Sequence, residues 1–198
     1  MRIILVFAIA ALVGCSEETS QEPVPVAPTS QPAIETPVAP PPSVSRLPDT
    51  NWALHGNDTG EQRYSDLDQI TRDNVDELGL AWSFDLYTRR GVEATPLVID
   101  GVIYVRGSWS MEYALDARTG ELKWLFDHQG DRAFLAKGCC DAVNRGVAYA
   151  QGKIIVGTYD GRLVALNADD GKVVWDVQTT DRDQPYTITG APRIAKDK

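Results

Sequence analysis

An eleven-residue segment that occurs twice constrains the fold of this chain more than any other feature. It begins at Ala114 and again at Ala165, 51 residues later, and runs through an Asp or Asn and a Gly to a Trp four residues after the Gly. Asp, Asn and Gly form tight turns, because Gly accepts positive φ and the Asx side chain bonds nearby backbone. The repeat therefore predicts two turns of one type, each leading into a strand that carries an apolar Trp anchor.

Apolar residues around both copies alternate with the period of a β-strand. Residues 95–99 and 102–105 flank Asp100-Gly101, and residues 154–157 and 163–166 flank Asp160-Gly161, so each copy predicts a strand, a tight turn and a strand. Short strands repeating every 40–50 residues or so with one Trp each are typical of four-stranded propeller blades. Two similar hairpins in a β-sandwich are the alternative.

Two further elements are expected outside the repeats. Trp82 is interpreted as a third anchor of the same kind, although no Gly-containing turn precedes it. One helix is predicted over Thr71–Leu78, with Thr71 as the N-cap and Gly79 as the C-terminal stop.

Residues 1–15 have the pattern of an export signal. Arg2 precedes an apolar run over residues 3–13, which is too short to span a bilayer and ends in Leu-Val-Gly-Cys15. This ending resembles the bacterial lipobox, which implies lipidation of Cys15; a simple signal peptide with an incidental cysteine is the alternative. Because Ser16 follows Cys15 in place of Asp, we expect a periplasmic protein with a lipid anchor in a membrane, with the outer membrane favoured.

Residues 16–48 differ in composition from the rest of the chain. Nine of the twelve prolines lie before residue 49, among Ser, Thr, Glu, Val and Ala. Such a segment buries too little apolar area to fold, and its prolines favour an extended spacer. We therefore predict a disordered tether over residues 16–48 and a folded domain over residues 49–198; a proline-motif ligand for a partner is the less favoured interpretation of the tether.

Charge and short motifs exclude several classes of function. The formal net charge is −9, whereas nucleic-acid binders carry basic patches, so no nucleic-acid partner is expected. No haem-attachment motif and no glycine-rich nucleotide loop occurs in the sequence. His55 and His128 have no second ligand at metal-binding spacing, so structural roles are predicted for both.

Adjacent cysteines, Cys139 and Cys140, are the most unusual chemical feature. In an exported chain they meet an oxidising compartment. A bond between neighbours removes almost no loop entropy, which favours a local role that depends on shape over a stabilising one. Two buried free thiols or a redox switch are the alternatives.

The segments around these cysteines resemble one family. Residues 137–146 are similar to the stretch that carries a vicinal disulfide in quinoprotein alcohol dehydrogenases, which depend on pyrroloquinoline quinone (PQQ). The turn-to-Trp unit resembles the tryptophan-docking motif of the same propellers. Further similar segments follow in order, at residues 51–52, 62–65, 92–96, 107–110 and 186–193.

The resemblance implies an all-β fold and a set of cofactor contacts. It implies the N-terminal two to three blades of an eight-bladed quinoprotein propeller with tryptophan-docking motifs. It also implies a disulfide between Cys139 and Cys140 stacked on one face of PQQ. By the same resemblance Arg145 bonds a PQQ carboxylate, Glu93 contacts the edge of the cofactor and Thr189 hydrogen-bonds it. The composition around Glu93 also predicts a near-continuous apolar strand, in which a lone carboxylate would be costly and a functional role is favoured over a salt bridge in a blade turn.

The implied function is oxidation of alcohols to aldehydes or ketones with PQQ and calcium. A small alcohol would be the substrate, and electrons would pass to a cytochrome or quinone. The calcium ligands and the Asp base of the family are expected beyond residue 198, so the chain is interpreted as an inactive N-terminal fragment with no catalytic residue of its own. A non-catalytic propeller lipoprotein scaffold of the outer-membrane assembly type is the alternative.

Overall fold

The computed structural model describes residues 51–138 and 140–196, which are folded almost entirely as strands and loops. The first sheet contains β1 (Leu97–Ile99), β2 (Val102–Arg106), β3 (Glu112–Asp116) and β4 (Leu122–Phe126). The second contains β5 (Ala148–Ala150), β6 (Lys153–Gly157), β7 (Arg162–Asn167) and β8 (Val173–Gln178). Both sheets are antiparallel with their strands in chain order, as propeller blades are, and we call them the first and the second blade. The expected signal, the tether, Cys15 and Cys139 lie outside the described residues.

The two repeated turns have the same geometry. Asp116 Oδ1 accepts hydrogen bonds from the amides of residues 118 and 119 at 2.9 Å, and Asn167 Oδ1 accepts one from the amide of residue 169 at 2.8 Å. Gly120 and Gly171 have φ of 74° and 70°. A shift in strand register follows Ala114 in one blade and Ala165 in the other. The predicted identity of the two turns is confirmed.

Two of the three anchor tryptophans, Trp82 and Trp124, pack on the turn of the following repeat, whereas Trp175 of β8 is 37% exposed. Trp124 Nε1 donates to the carbonyl of Ala168 at 2.9 Å, and Trp82 Nε1 donates to that of Ala117 at 3.2 Å. The indoles lie so close to the turn that a Cβ on Gly171 would be 2.7 Å from Trp124. The assignment of Trp82 as a third anchor is therefore confirmed.

The core lies between the two blades. Tyr104 of β2 is buried, donates its hydroxyl to the carbonyl of Ala168 at 3.1 Å and packs on the Trp124 ring. Most other buried side chains of this cluster come from the strands of both blades, and Ala53, Val147 and Ala168 come from adjoining segments; the strand residues are Leu97, Ile99, Ala114, Ile154, Val156, Val164 and Leu166. Full burial of such an aliphatic side chain stabilises by about 1.5–3 kcal/mol, so the blades hold each other by apolar contact.

The helix predicted over Thr71–Leu78 is wrong. Only the 3-10 turn Val75–Glu77 forms, with Asn74 at its N-cap position; the Thr71 hydroxyl accepts from the Asp73 amide at 3.3 Å, before that turn begins. Val75 and Leu78 are exposed, and a short helix without a buried face is unstable. Further 3-10 segments are Ser108–Ser110 and Arg132–Lys137. In the described part of the chain, none of the helices has the length and hydrophobicity of a membrane span.

Candidate cofactor site

Three of the residues singled out from the sequence lie together. Arg145 Nη2 is 3.2 Å from Glu93 Oε2, and Arg145 Nη1 donates to Thr189 Oγ1 at 2.9 Å. The three are separated by 52 and 44 positions in the chain. Arg145 thus stands at the centre of a cluster built from three distant segments.

Backbone hydrogen bonds hold those segments side by side. The Thr95 amide donates to the Arg145 carbonyl at 3.2 Å, and the Arg145 amide donates to the Thr189 carbonyl at 2.9 Å. Gly146 follows with φ of 135°, and a Cβ there would lie 3.2 Å from the Thr95 carbonyl oxygen. The close approach of the segment around Thr95 to the segment around Arg145 therefore requires glycine at position 146.

The predicted position of Glu93 in an apolar strand is wrong. The first strand begins later, at Leu97, and the Glu93 side chain is 44% exposed in an irregular segment. The Glu93 carboxylate is therefore reached by solvent, and its ion pair with Arg145 is not the compensation for a buried charge. Exposed ion pairs contribute only about 0–1 kcal/mol, so this pair has little value as a stabilising contact.

The cluster has the chemistry of an anion site. The Arg145 side chain is 47% exposed, so its guanidinium remains accessible from solvent. A guanidinium binds carboxylates through two parallel N–H groups, and the Thr189 hydroxyl both accepts from Arg145 and can donate. Glu93 adds an acceptor for an N–H or O–H group. This donor and acceptor set fits a flat polycarboxylate such as PQQ.

The cysteine pair adjoins this cluster. Cys140 is exposed and disulfide-bonded, and its partner lies outside the described residues, so the pairing with Cys139 stays a prediction. A Cβ on Gly138 would lie 3.5 Å from Thr187 Cγ2, two residues before Thr189. The segment carrying Cys140 thus lies against the segment carrying Thr189.

Buried charges between the blades were not found from the sequence. Arg106 and Glu112 are fully buried with Nη1 and Oε2 3.7 Å apart, and Arg106 Nη2 donates to the carbonyl of Gly157 at 2.9 Å. Burial raises the pKa of Glu112 to about 8, against the opposing attraction of Arg106. Burial likewise lowers the pKa of Arg106 to about 10. The two residues are cross-strand partners in the β2–β3 hairpin, so a predicted register for these strands could have paired them.

Both histidines are held by neighbouring polar side chains, and their structural roles stay a prediction. His128 Nε2 lies 3.4 Å from Asp160 Oδ1 across the two blades, and burial lowers the pKa of His128. His55 lies between Glu61 Oε2 and Thr95 Oγ1, each 3.1 Å from a ring nitrogen. Among residues 51–138 and 140–196, no three acidic, His or Cys side chains form a cluster that could hold a metal ion.

Comparisons with known proteins bear on the fold and the family of the chain. Residues 52–183 match the family model for the β-propeller domain of the PQQ-type glucose/ethanol/alcohol dehydrogenases. The chain is 55% identical over 148 residues to a 1-butanol dehydrogenase (cytochrome c) of Thauera butanivorans, with 74% of this chain and 21% of the relative covered.

Solved structures show the same fold. The quinohemoprotein alcohol dehydrogenase ADHIIG of Pseudomonas putida superimposes with a TM-score of 0.73 at 54% identity, covering 75% of this chain and 22% of that one. A europium-containing methanol dehydrogenase superimposes with a TM-score of 0.70 at 41% identity, covering 74% and 26%. The chain thus spans about a fifth of the length of the relatives it matches. The matched propeller domain, the docked tryptophans and the paired sheets together place this chain in the family of PQQ-dependent glucose/ethanol/alcohol dehydrogenases.

Proposed function

We propose that the complete protein containing these residues oxidises alcohols to aldehydes or ketones with bound PQQ and passes the electrons to a cytochrome or quinone. The cluster of Glu93, Arg145 and Thr189 beside the Cys140 segment supports this proposal most directly. PQQ, when bound, supplies the redox chemistry, and the protein supplies binding, orientation and electrostatics.

Each residue of the cluster has a distinct part in the proposal. Arg145 binds a carboxylate of the cofactor through its guanidinium. Thr189 orients that guanidinium by accepting its Nη1 hydrogen bond, and Glu93 holds the other nitrogen. Cys139 and Cys140 form the vicinal disulfide on which the quinone stacks. A scaffold lipoprotein, the other candidate, gives no reason for an accessible arginine held between two polar side chains in this place.

Calcium is the proposed metal, with its ligands and the Asp base supplied by residues outside the described ranges. Support for a metal comes from family membership, and one related methanol dehydrogenase contains europium. A divalent or trivalent cation would act as a Lewis acid in the site. The choice between calcium and a lanthanide is therefore part of the test.

The proposed location is the periplasm, with a lipid anchor at Cys15. The sequence of residues 1–15 carries this proposal alone. Expression with a labelled fatty acid should label the wild-type protein and leave Cys15→Ser unlabelled. Equal labelling of both proteins would contradict it.

Reconstitution tests the proposed activity. The complete protein is prepared without cofactor, then supplied with PQQ and either Ca²⁺ or Eu³⁺, and dye reduction is measured with primary, secondary and polyhydric alcohols. We expect alcohol-dependent reduction that requires both PQQ and one of the two metals. PQQ binding without turnover on any alcohol would contradict the dehydrogenase, and absence of PQQ binding would favour the scaffold.

A further inference from the structure

Tyr159 packs against the segment that carries the cysteines. A Cβ on Gly138 would lie 1.9 Å from Tyr159 Oη and 2.8 Å from Cζ, so no side chain fits at position 138 while Tyr159 stays in place. Gly138 has φ of −100°, which any residue adopts. The requirement for glycine is therefore one of space, imposed by the tyrosine.

The other end of the same segment is held by the first blade. The Trp109 amide donates to the carbonyl of Ala142 at 3.1 Å. The Tyr159 amide in turn donates to Ser110 Oγ at 2.8 Å. This hydrogen bond links the residue that contacts Gly138 to the neighbour of the residue that contacts Ala142. Trp109, Ser110 and Tyr159 form what we call the cradle, and Gly138 together with residues 140–142 is what we call the cysteine segment.

The cradle comes from equivalent places in the two blades. Trp109 and Ser110 lie in the connection between β2 and β3, and Tyr159 lies in the connection between β6 and β7. Neighbouring blades present these connections on the same side, so together they can hold a segment that crosses from one blade to the next. The cysteine segment is part of that crossing, which runs from β4 to β5.

The cradle has features that stability alone does not explain. Trp109 and Ser110 have φ of 61° and 62°, an unfavourable conformation for residues other than glycine and one found often at functional sites. Tyr159 is 5% exposed, and its hydroxyl has no hydrogen-bond partner among the described residues. A buried hydroxyl without a hydrogen-bond partner destabilises the folded protein. We infer that Tyr159 is kept there for its packing against Gly138.

We propose that Tyr159 is a positioning residue, which together with Trp109 and Ser110 sets the position of the cysteine segment and so one wall of the cofactor site. This rests on the proposed binding of PQQ beside Cys140. Tyr159 acts through its contact with Gly138. Its effect is therefore on the affinity for PQQ and on the reactivity of Cys140.

The test uses the complete protein and a cycle of variants. Gly138→Ala introduces the excluded atom, Tyr159→Leu removes the ring, and the double variant combines them. Gly79→Ala is the control, because a Cβ there meets nothing within 4 Å and its φ is not in the left-handed region. PQQ affinity is measured by titration, and the rate at which Cys140 is reduced and alkylated in the native protein is measured by mass spectrometry.

Overpacking at position 138 should weaken PQQ binding about tenfold and speed alkylation of Cys140. Tyr159→Leu should weaken binding several-fold, whereas Gly79→Ala should leave both quantities unchanged. The double variant should bind PQQ more tightly than Gly138→Ala alone, since the ring that clashed is gone, and contacting residues are not additive. A general loss of stability would not be reversed by a second core truncation.

Three results would overturn the proposal. The first is wild-type affinity and alkylation rate in both Gly138→Ala and Tyr159→Leu. The second is a double variant that binds no better than Gly138→Ala. The third is a Gly138→Ala variant that fails to fold together with a folded Tyr159→Leu that behaves as wild type. If wild-type protein does not bind PQQ, the proposed function fails with it, whereas binding by the wild type with no effect of the variants refutes the positioning role alone.

Discussion

Replacing Gly171 by alanine should destabilise the protein through two separable costs. The φ of 70° at this turn is unfavourable for an L-residue by about 1–2 kcal/mol. The new Cβ would also lie 2.7 Å from Cδ2 and Cε3 of Trp124, and such overpacking costs about 1–3 kcal/mol. The total loss is expected to be about 2–5 kcal/mol in the free energy of unfolding.

Gly152→Ala is a matched control for the first cost. Gly152 has φ of 72°, and nothing lies within 4 Å of the position of its Cβ. This variant should lose only about 1–2 kcal/mol. The difference between the two variants therefore measures the contact of Trp124 with the turn.

Urea unfolding, followed by circular dichroism and tryptophan fluorescence, gives both free energies. Gly171→Ala should be less stable than Gly152→Ala by about 1–3 kcal/mol, and its fluorescence should change because the Trp124 ring must move. Equal losses with unchanged fluorescence would refute the inference that the docked indole constrains the turn.

Two further predictions concern polar groups buried between the blades. Glu112 has a pKa of about 8 in the folded protein, above its value of about 4.5 in the unfolded chain, so the folded state keeps a proton that the unfolded chain releases and stability falls as pH rises through this window. Glu112→Gln should remove this pH dependence, which amounts to at most about 1.4 kcal/mol of unfolding free energy per pH unit. If the unfolding free energies of variant and wild type ran parallel from pH 5 to 8, the prediction would be contradicted. Tyr104→Phe should cost about 0.5–1.5 kcal/mol, because the hydroxyl bonds the Ala168 carbonyl in the core. Unchanged stability in thermal and urea unfolding would show that this bond contributes nothing.

The blade architecture could be predicted because its signals are local. Asp116 and Gly120 form their turn with neighbours in the chain, and the same holds for the second copy. The docking of Trp82 could be predicted by analogy with the two repeated tryptophans, and the structure places its indole on the carbonyl of Ala117 in the next repeat. The helix over Thr71–Leu78 failed because capping and periodicity do not show whether a face will be buried.

The candidate site could be predicted in part. Glu93, Arg145 and Thr189 were singled out by resemblance, and the structure brings their side chains together, but the surroundings of Glu93 were wrong because the strand begins later than its composition indicates. Arg106 and Glu112 are cross-strand partners at the end of the β2–β3 hairpin, and their pairing was missed because the sequence analysis assigned no register to these two strands. The contact of Tyr159 with Gly138 could not be predicted, since it joins the connection between β6 and β7 to the connection between the two blades and has no local signal.

Titration of the complete protein with PQQ tests the central claim most directly. Arg145→Ala removes the guanidinium that we place on a cofactor carboxylate, and loss of a charge-assisted hydrogen bond, about 1.5–3 kcal/mol, corresponds to roughly 10- to 150-fold weaker binding. Arg145→Lys keeps the charge without the fork and should bind with intermediate affinity. Arg72→Ala is the control. It removes an exposed arginine that precedes β1, and this variant should bind PQQ as the wild type does. Wild-type affinity in Arg145→Ala, or no binding of PQQ by the wild type, would contradict the account.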